Sequence, residues 1–132
     1  MFFFGAEEWN LSGSKFWARN NQNKFSLALN FDMIAGRESQ MSLFAEDEIY
    51  EKISKNFSNL EVCKGIHPCW DAYPIAKAGI PVVHFIAYPY LECHYPNDTL
   101  DKLDLGKIDE VLGMVNSLTT QKNYGFQFPQ KQ

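Results

Sequence analysis

Glu7 and Glu8 stand side by side at the end of an apolar run, Phe2-Phe3-Phe4-Gly5-Ala6. Charge placed against apolar chain is costly unless it has a partner or a task. Adjacent side chains leaving a strand point in different directions, so one carboxylate can bind a cation while its neighbour handles a proton. Asp32 closes a second strand-like run, Asn30-Phe31-Asp32-Met33, and His94 opens the loop His94-Tyr95-Pro96-Asn97-Asp98-Thr99. Carboxylate and imidazole donors of this kind suit a catalytic zinc, which takes three protein ligands and leaves a position for water. A further carboxylate can accept that water's proton during attack on a carbonyl and pass it to the leaving amine. Glu8 and His94 are therefore candidates for one metal, Asp32 for a second, and Glu7 for the base. The set suggests a zinc hydrolase site that is short of ligands for two ions.

Such residues, far apart in sequence, must be brought together by regular elements. Phe2 to Phe4 reads as a short aromatic strand that begins abruptly. Lys15-Phe16-Trp17-Ala18 reads as a helix with Ser12 or Ser14 near its cap. Phe25 to Phe31 alternates with period two and then turns continuously apolar, as an interior strand does. From Asp47 the pattern is helical, with Ile49, Ile53 and Phe57 spaced by four; Leu60 to Cys63 suggests another strand. Asp71 to Ala78 is a short helix stopped by Gly79, and Ile80 to Ile86 is the clearest buried strand. Leu105, Ile108, Leu112, Val115 and Leu118 mark one face of a last helix, and the tail from Tyr124 to Gln132 lacks periodicity and is expected to fray. Strands alternating with helices imply parallel βαβ units in an α/β layer, whose ligands sit beyond the carboxyl ends of the strands. Glu7 and Glu8, Asp32 and His94 each follow a different strand, so all can reach one edge.

At 132 residues, 45% of them hydrophobic, the chain has the size and core content of a single globular domain. A net charge of -4 and a pI near 5.3 argue against a nucleic-acid backbone or an anionic membrane as the main partner, and favour a cation or small substrate. No apolar run approaches the roughly 18 residues of a spanning helix, and Met1 to Phe4 lacks the basic region of a secretory signal. Localisation stays open. Cys63, Cys69 and Cys93 cannot all pair internally; Cys63 and Cys69 bracket a short loop and offer one bridge in an oxidising compartment, or two free thiols.

Taken together, Gly5-Ala6-Glu7-Glu8 with Gly13-Ser14 behind it, Asn30-Phe31-Asp32-Met33-Ile34, Ala78-Gly79-Ile80-Pro81, and the run from His94 to Leu103 resemble the co-catalytic zinc aminopeptidases. These are relatives of the leucyl aminopeptidases and of glutamate carboxypeptidase II. The resemblance implies a three-layer α/β sandwich with a mixed, mostly parallel sheet flanked by helices. It implies Glu7 as general base, Glu8 and His94 as ligands of one zinc, Asp32 as a ligand of the other, and the N-terminus of a peptide as substrate. It also implies that a His-x-Asp motif and a bridging Asp belong upstream of Glu7, so that this chain holds the C-terminal half of a catalytic domain. Alone, such a half is expected to be weak or inactive, with the missing half or a self-associated chain as partner. Two departures are visible: Cys93 stands where a tyrosine often precedes the histidine, and Trp70-Asp71-Ala72 replaces a Ser-Asp-His run.

Plainer uses exist for each residue. Glu7 and Glu8 could be first-turn helix acids, Asp32 a turn residue and His94 a loop residue, but four motifs in order outweigh these readings. His84 reads as a hydrogen-bonded core histidine and His67 as a surface one; Asp98 and Thr99 read as residues that fix the His94 loop, and Asp71 as a helix N-cap. Two rival functions remain. One is a non-catalytic remnant or assembly partner that pairs through an open sheet edge. The other is a glutaminyl-cyclase-like acyltransferase working around a single zinc.

Overall fold

The structure, a computed structural model, describes residues 1–22 and 24–120. Its strands are β1 (Ala28–Asp32), β2 (Gln40–Ala45), β3 (Glu61–Lys64) and β4 (Val82–Tyr88), in the spatial order β1-β4-β2-β3. β1 runs parallel to β4, with Ala28 beside Val82 and Asp32 beside Ile86, and β3 runs parallel to β2. β2 and β4 are antiparallel, which makes the sheet mixed. Val82 to Ala87 are all buried, as a continuous apolar run in a strand covered on both faces must be.

Helices cover the two faces. α1 (Ser12–Asn20), α2 (Asp47–Asn56), α3 (Ala72–Lys77) and α4 (Gly106–Thr120) divide between them. Ile49, Ile53 and Phe57 of the α2 segment pack with Val111 and Leu118 of α4 against Leu43, Val83 and Phe85. Val82 points the opposite way along the pleat, into a second cluster with Ile66, Ala72, Ile75 and Ile80, against which Phe4 and Trp17 lie. The expected α/β layering is thus present.

Several expectations change. Phe2 to Phe4 form no strand, because a strand needs a neighbouring backbone and, among the described residues, β1 pairs only with β4. The rings of Phe2 and Phe4 instead lie 5.0 and 5.8 Å from Trp17. β2 was not foreshadowed: Gln40-Met41-Ser42-Leu43-Phe44-Ala45 holds no β-branched residue, and no helix separates it from β1. The apolar face of α4 is rotated from its expected position, with Val111 buried and Leu105 and Leu112 exposed. Ser12 and Ser14 do not cap α1; their hydroxyls donate back to the carbonyls of Trp9 and Leu11, and Leu11 in a left-handed conformation holds the N-cap position. The segment Tyr124 to Gln132 lies outside the described residues. Among the described residues no helix is long and apolar enough to cross a membrane.

Candidate functional site

Glu7 and Glu8 sit in a tight turn leading into α1. Trp9 and Ser12 donate backbone N–H bonds to the Ala6 carbonyl at 3.2 and 3.1 Å, and Leu11 donates to the Glu7 carbonyl at 2.8 Å. Gly13 makes this turn possible, since a Cβ there would lie 2.3 Å from the Gly5 carbonyl oxygen. Asp32 is the last residue of β1. His94 belongs to a turn in which Cys93 N–H reaches the Tyr90 carbonyl at 3.3 Å and Tyr95 N–H the Glu92 carbonyl at 2.9 Å.

A backbone signature links the three segments. Ala6 before the glutamates, Met33 after Asp32, and His94 itself all have positive φ, at 57°, 48° and 68°. L-residues seldom adopt this region, and such strain collects at functional sites because the surrounding fold must maintain it. The loops after β1 and after His94 are also braced together. Lys107 Nζ donates to the carbonyls of Gly36, Arg37 and Ser39 at 2.6, 2.8 and 2.5 Å, and Arg37 reaches the carbonyls of Asp101 and Leu103, both at 3.1 Å. Tyr90 donates its hydroxyl to Asp98, while the Thr99 hydroxyl contacts Asp101 at 2.6 Å, so Asp98 and Thr99 do order this loop.

The result is a cleft of about 460 Å³ lined by Glu7, Glu8, Asp32, Cys69, Cys93 and His94. Every candidate from the sequence therefore reaches one place. His94 Nε2 lies 3.4 Å from Glu8 Oε1, with both side chains about two-thirds exposed. A larger cleft of about 520 Å³ lies between the Phe2 to Phe4 run and the open edge of β1. That one is mostly aromatic; the chemistry gathers in the smaller.

Negative charge dominates the smaller cleft. Burial pushes the Glu7 carboxyl above its ordinary range, and the charges of Glu8, Asp71 and Asp32 push it further. Burial likewise raises Asp32, with Asp71 and Glu8 adding to it and His94 opposing. Asp71 thus belongs to the cluster, although the sequence suggested only an N-cap. It makes no capping bond to α3, and its Oδ1 is buried without a partner. The cue available in the sequence was Asp71 keeping the acidic position of the altered Trp70-Asp71-Ala72 run. Carboxylate oxygens with one imidazole, carrying uncompensated negative charge, fit a divalent cation. Among the described residues no three His, Cys, Asp or Glu side chains converge as a ligand set, and the paired Glu8 and His94 side chains are largely exposed.

The other histidines lie apart from this chemistry. His84 is fully buried in β4, with Nδ1 2.6 Å from Asn30 Oδ1 and its ring 4.4 Å from that of Trp70. Burial lowers it to about 4. His67 is exposed, its Nδ1 accepting from Cys69 N–H at 3.3 Å. Cys63, Cys69 and Cys93 are all free, so the loop between the first two carries no bridge.

Residues 1–119 match the profile of Peptidase family M28. An aminopeptidase from Aneurinibacillus sp. strain AM-1 is similar in structure, at 28% identity and TM-score 0.69, covering 86% of this chain and 31% of that one. BSAP, a zinc aminopeptidase from Bacillus subtilis, is similar at 19% identity and TM-score 0.67, covering 91% of this chain and 35% of its own. The LapA aminopeptidase of Legionella pneumophila shares the fold at 15% identity and TM-score 0.65, covering 98% and 39%. The chain therefore spans roughly a third of the length of these solved structures. No curated protein sequence matches it.

Proposed function

Since this chain belongs to peptidase family M28, we propose that it supplies part of the catalytic site of a zinc aminopeptidase that hydrolyses N-terminal peptide bonds. Within that family the reading is of the branch related to leucyl aminopeptidases and glutamate carboxypeptidase II. The observation that carries it is the arrival of Glu7, Glu8, Asp32 and His94, from three separate segments, in one negatively charged cleft. Glu8 and His94 would hold one zinc and Asp32 would contribute to a second. Bound zinc supplies Lewis-acid polarisation of the scissile carbonyl and an acidified water. Glu7 accepts the proton of the attacking water and delivers it to the departing amine, a task helped by a carboxyl whose proton affinity is raised. Glu8, Asp32 and Asp71 hold negative charge around the cation, and Asp98 with Thr99 keeps the His94 loop in place.

The chain holds one carboxylate, Asp32, for the second ion and no bridging ligand recognised by the resemblance. By itself it should be weak or inactive. Aminoacyl p-nitroanilide hydrolysis in the presence of zinc tests this: the isolated chain should show little turnover, and a chain completed with the remaining part of the domain should turn over and lose activity on Glu7→Gln. Turnover by the isolated chain equal to that of full-length relatives, and abolished by Glu7→Gln, would refute the need for completion. Unchanged turnover of the completed enzyme after Glu7→Gln would refute the base.

One observation favours an assembly role as a second reading. Among the described residues β1 has no partner on its outer side, and the exposed Phe2, Phe3 and Phe31 border the aromatic cleft beside it. An open edge with apolar flanks invites another strand, from the rest of the domain or from a second copy. A monomer in sedimentation at high concentration would remove the second copy from consideration.

A further inference from the structure

We propose that Lys107 is the positioning residue of the cleft: its ammonium group fixes the loop after Asp32 and, through that loop, the segment that carries His94. This role rests on the reading of Asp32 and His94 as parts of one site. Lys107 stands in the first turn of α4, where the helix dipole disfavours a cation. Its side chain reaches across to the loop after β1 and places Nζ 2.6, 2.8 and 2.5 Å from the carbonyl oxygens of Gly36, Arg37 and Ser39. An ammonium group has three N–H donors, and here each has an acceptor of its own. Carbonyl oxygens turned toward one point repel one another, so the cation at that point is what lets the loop close on itself.

Two routes lead from this centre to the cleft. Backward along the chain, the loop runs through Ala35, Ile34 and Met33 to Asp32. Across space, Gly36 forms an antiparallel bridge with Leu103, Arg37 N–H donates to the Lys102 carbonyl at 2.9 Å, and Asp104 N–H donates to the Ala35 carbonyl at 2.8 Å. Gly36 also lies against the Tyr90 ring, since a Cβ there would come within 2.9 Å of Tyr90 Cδ2. Tyr90 in turn holds the His94 turn: its carbonyl accepts from Cys93 N–H at 3.3 Å and its hydroxyl donates to Asp98. The loop that Lys107 closes is therefore the support on which the His94 turn rests. Lys107 does not line the acidic cleft; it borders a separate one of about 360 Å³ and acts on the site only through backbone.

Amide hydrogen exchange of the purified chain, read by NMR, tests the role. Lys107→Met keeps an apolar stem of similar length and removes the cation. Exchange at Arg37 and Asp104 should then rise together by ~10-fold or more, the worth of one bond to a charged group, while the amides of β4 stay as slow as before. The amide resonances of Asp32 and His94 should shift in the same variant. Equal acceleration throughout β4 makes Lys107 a general stabiliser and overturns the proposal, as does acceleration at Arg37 without Asp104. Lys107→Ala adds a rescue: propylammonium, entering by the cleft that Lys107 borders, should restore slow exchange, whereas tetramethylammonium, which has no N–H, should not. No restoration, or equal restoration by both ions, overturns the proposal. Zinc affinity of Lys107→Met, measured by calorimetry, should fall about 10-fold, as when a group that orients a metal ligand is lost. Unchanged affinity alongside loosened loops overturns the positioning role and leaves the zinc reading standing. Absence of zinc binding by the unmodified chain overturns the zinc reading, and the exchange rates then decide the coupling of the two loops on their own.

Discussion

His84 and His94 lie on successive stretches of one chain and are opposite in almost every physical respect. His84 occupies β4 among buried neighbours, bonds Asn30 through Nδ1, stacks on Trp70, and is held neutral by burial. His94 sits in the following turn, exposed, with strained backbone and an exposed carboxylate 3.4 Å away. The strand has given its histidine a single state, and the turn has left its histidine free to choose a ligand. Stability is concentrated in the sheet, whereas the cleft above it accepts strain and mutual repulsion among Glu7, Glu8, Asp32 and Asp71. That is the usual relation between a scaffold and the site it carries.

Breaking the scaffold should have the largest effect. Phe85 is fully buried, with its ring 5.0 Å from that of Phe31, and Phe85→Ala should cost about 3–5 kcal/mol. For a chain of this size that removes most of the stability, visible as loss of a cooperative urea transition. Gly13→Ala acts at the junction of scaffold and site. The added methyl must displace the Gly5 backbone, at roughly 1–3 kcal/mol, and should lower zinc affinity by calorimetry more than any surface substitution on α1.

The buried histidine makes the scaffold sensitive to acid. Its folded pKa, about 4, lies below the ordinary value of 6.5, so the folded state resists protonation. Its contribution is complete above pH 6.5 and is lost as pH falls toward 4; by pH 5 the loss should be about 2 kcal/mol. Urea midpoints measured at pH 7 and pH 5 should show it, and His84→Gln should flatten that slope.

The cleft should respond in the other direction. The Asp32 carboxyl is raised, so its stability contribution is present at low pH and is lost as pH rises through the folded value. Without metal, Asp32→Asn should therefore stabilise the protein at pH 7 by only ~0.5 kcal/mol, because solvent screens the site, and by nothing at pH 3. His94→Ala should move the unfolding midpoint least, within about 0.5 kcal/mol, while zinc affinity falls sharply. A large loss of stability in His94→Ala would erase the distinction between the two regions.

Much of this division was legible from residue pattern. The run from Val82 to Ile86 announced an interior strand because continuous apolar sequence has no solvent face, and Ile49, Ile53 and Phe57 announced a helix because only a helix stacks every fourth residue. Glu7, Glu8, Asp32 and His94 stood out as candidates because their types and local contexts are unusual together, and all four line one cleft. β2 was not found, since its strand conformation comes from pairing with β3 and β4 rather than from its own residues. Asp71 looked like a helix cap because local spacing cannot reveal that its carboxylate faces Glu7 and Asp32.

The sequence by itself determined the α/β class, the family and the residue types available for chemistry, because periodicity and short motifs are local properties. Tertiary structure decided which of those residues meet. It set Phe2 and Phe4 against Trp17 where a strand was expected, brought Cys93 to the lining of the cleft and the charge of Asp71 to bear on Glu7 and Asp32, and kept His84 apart from it. These outcomes depend on contacts between distant segments, whose distances and charges exist only once the sheet has formed.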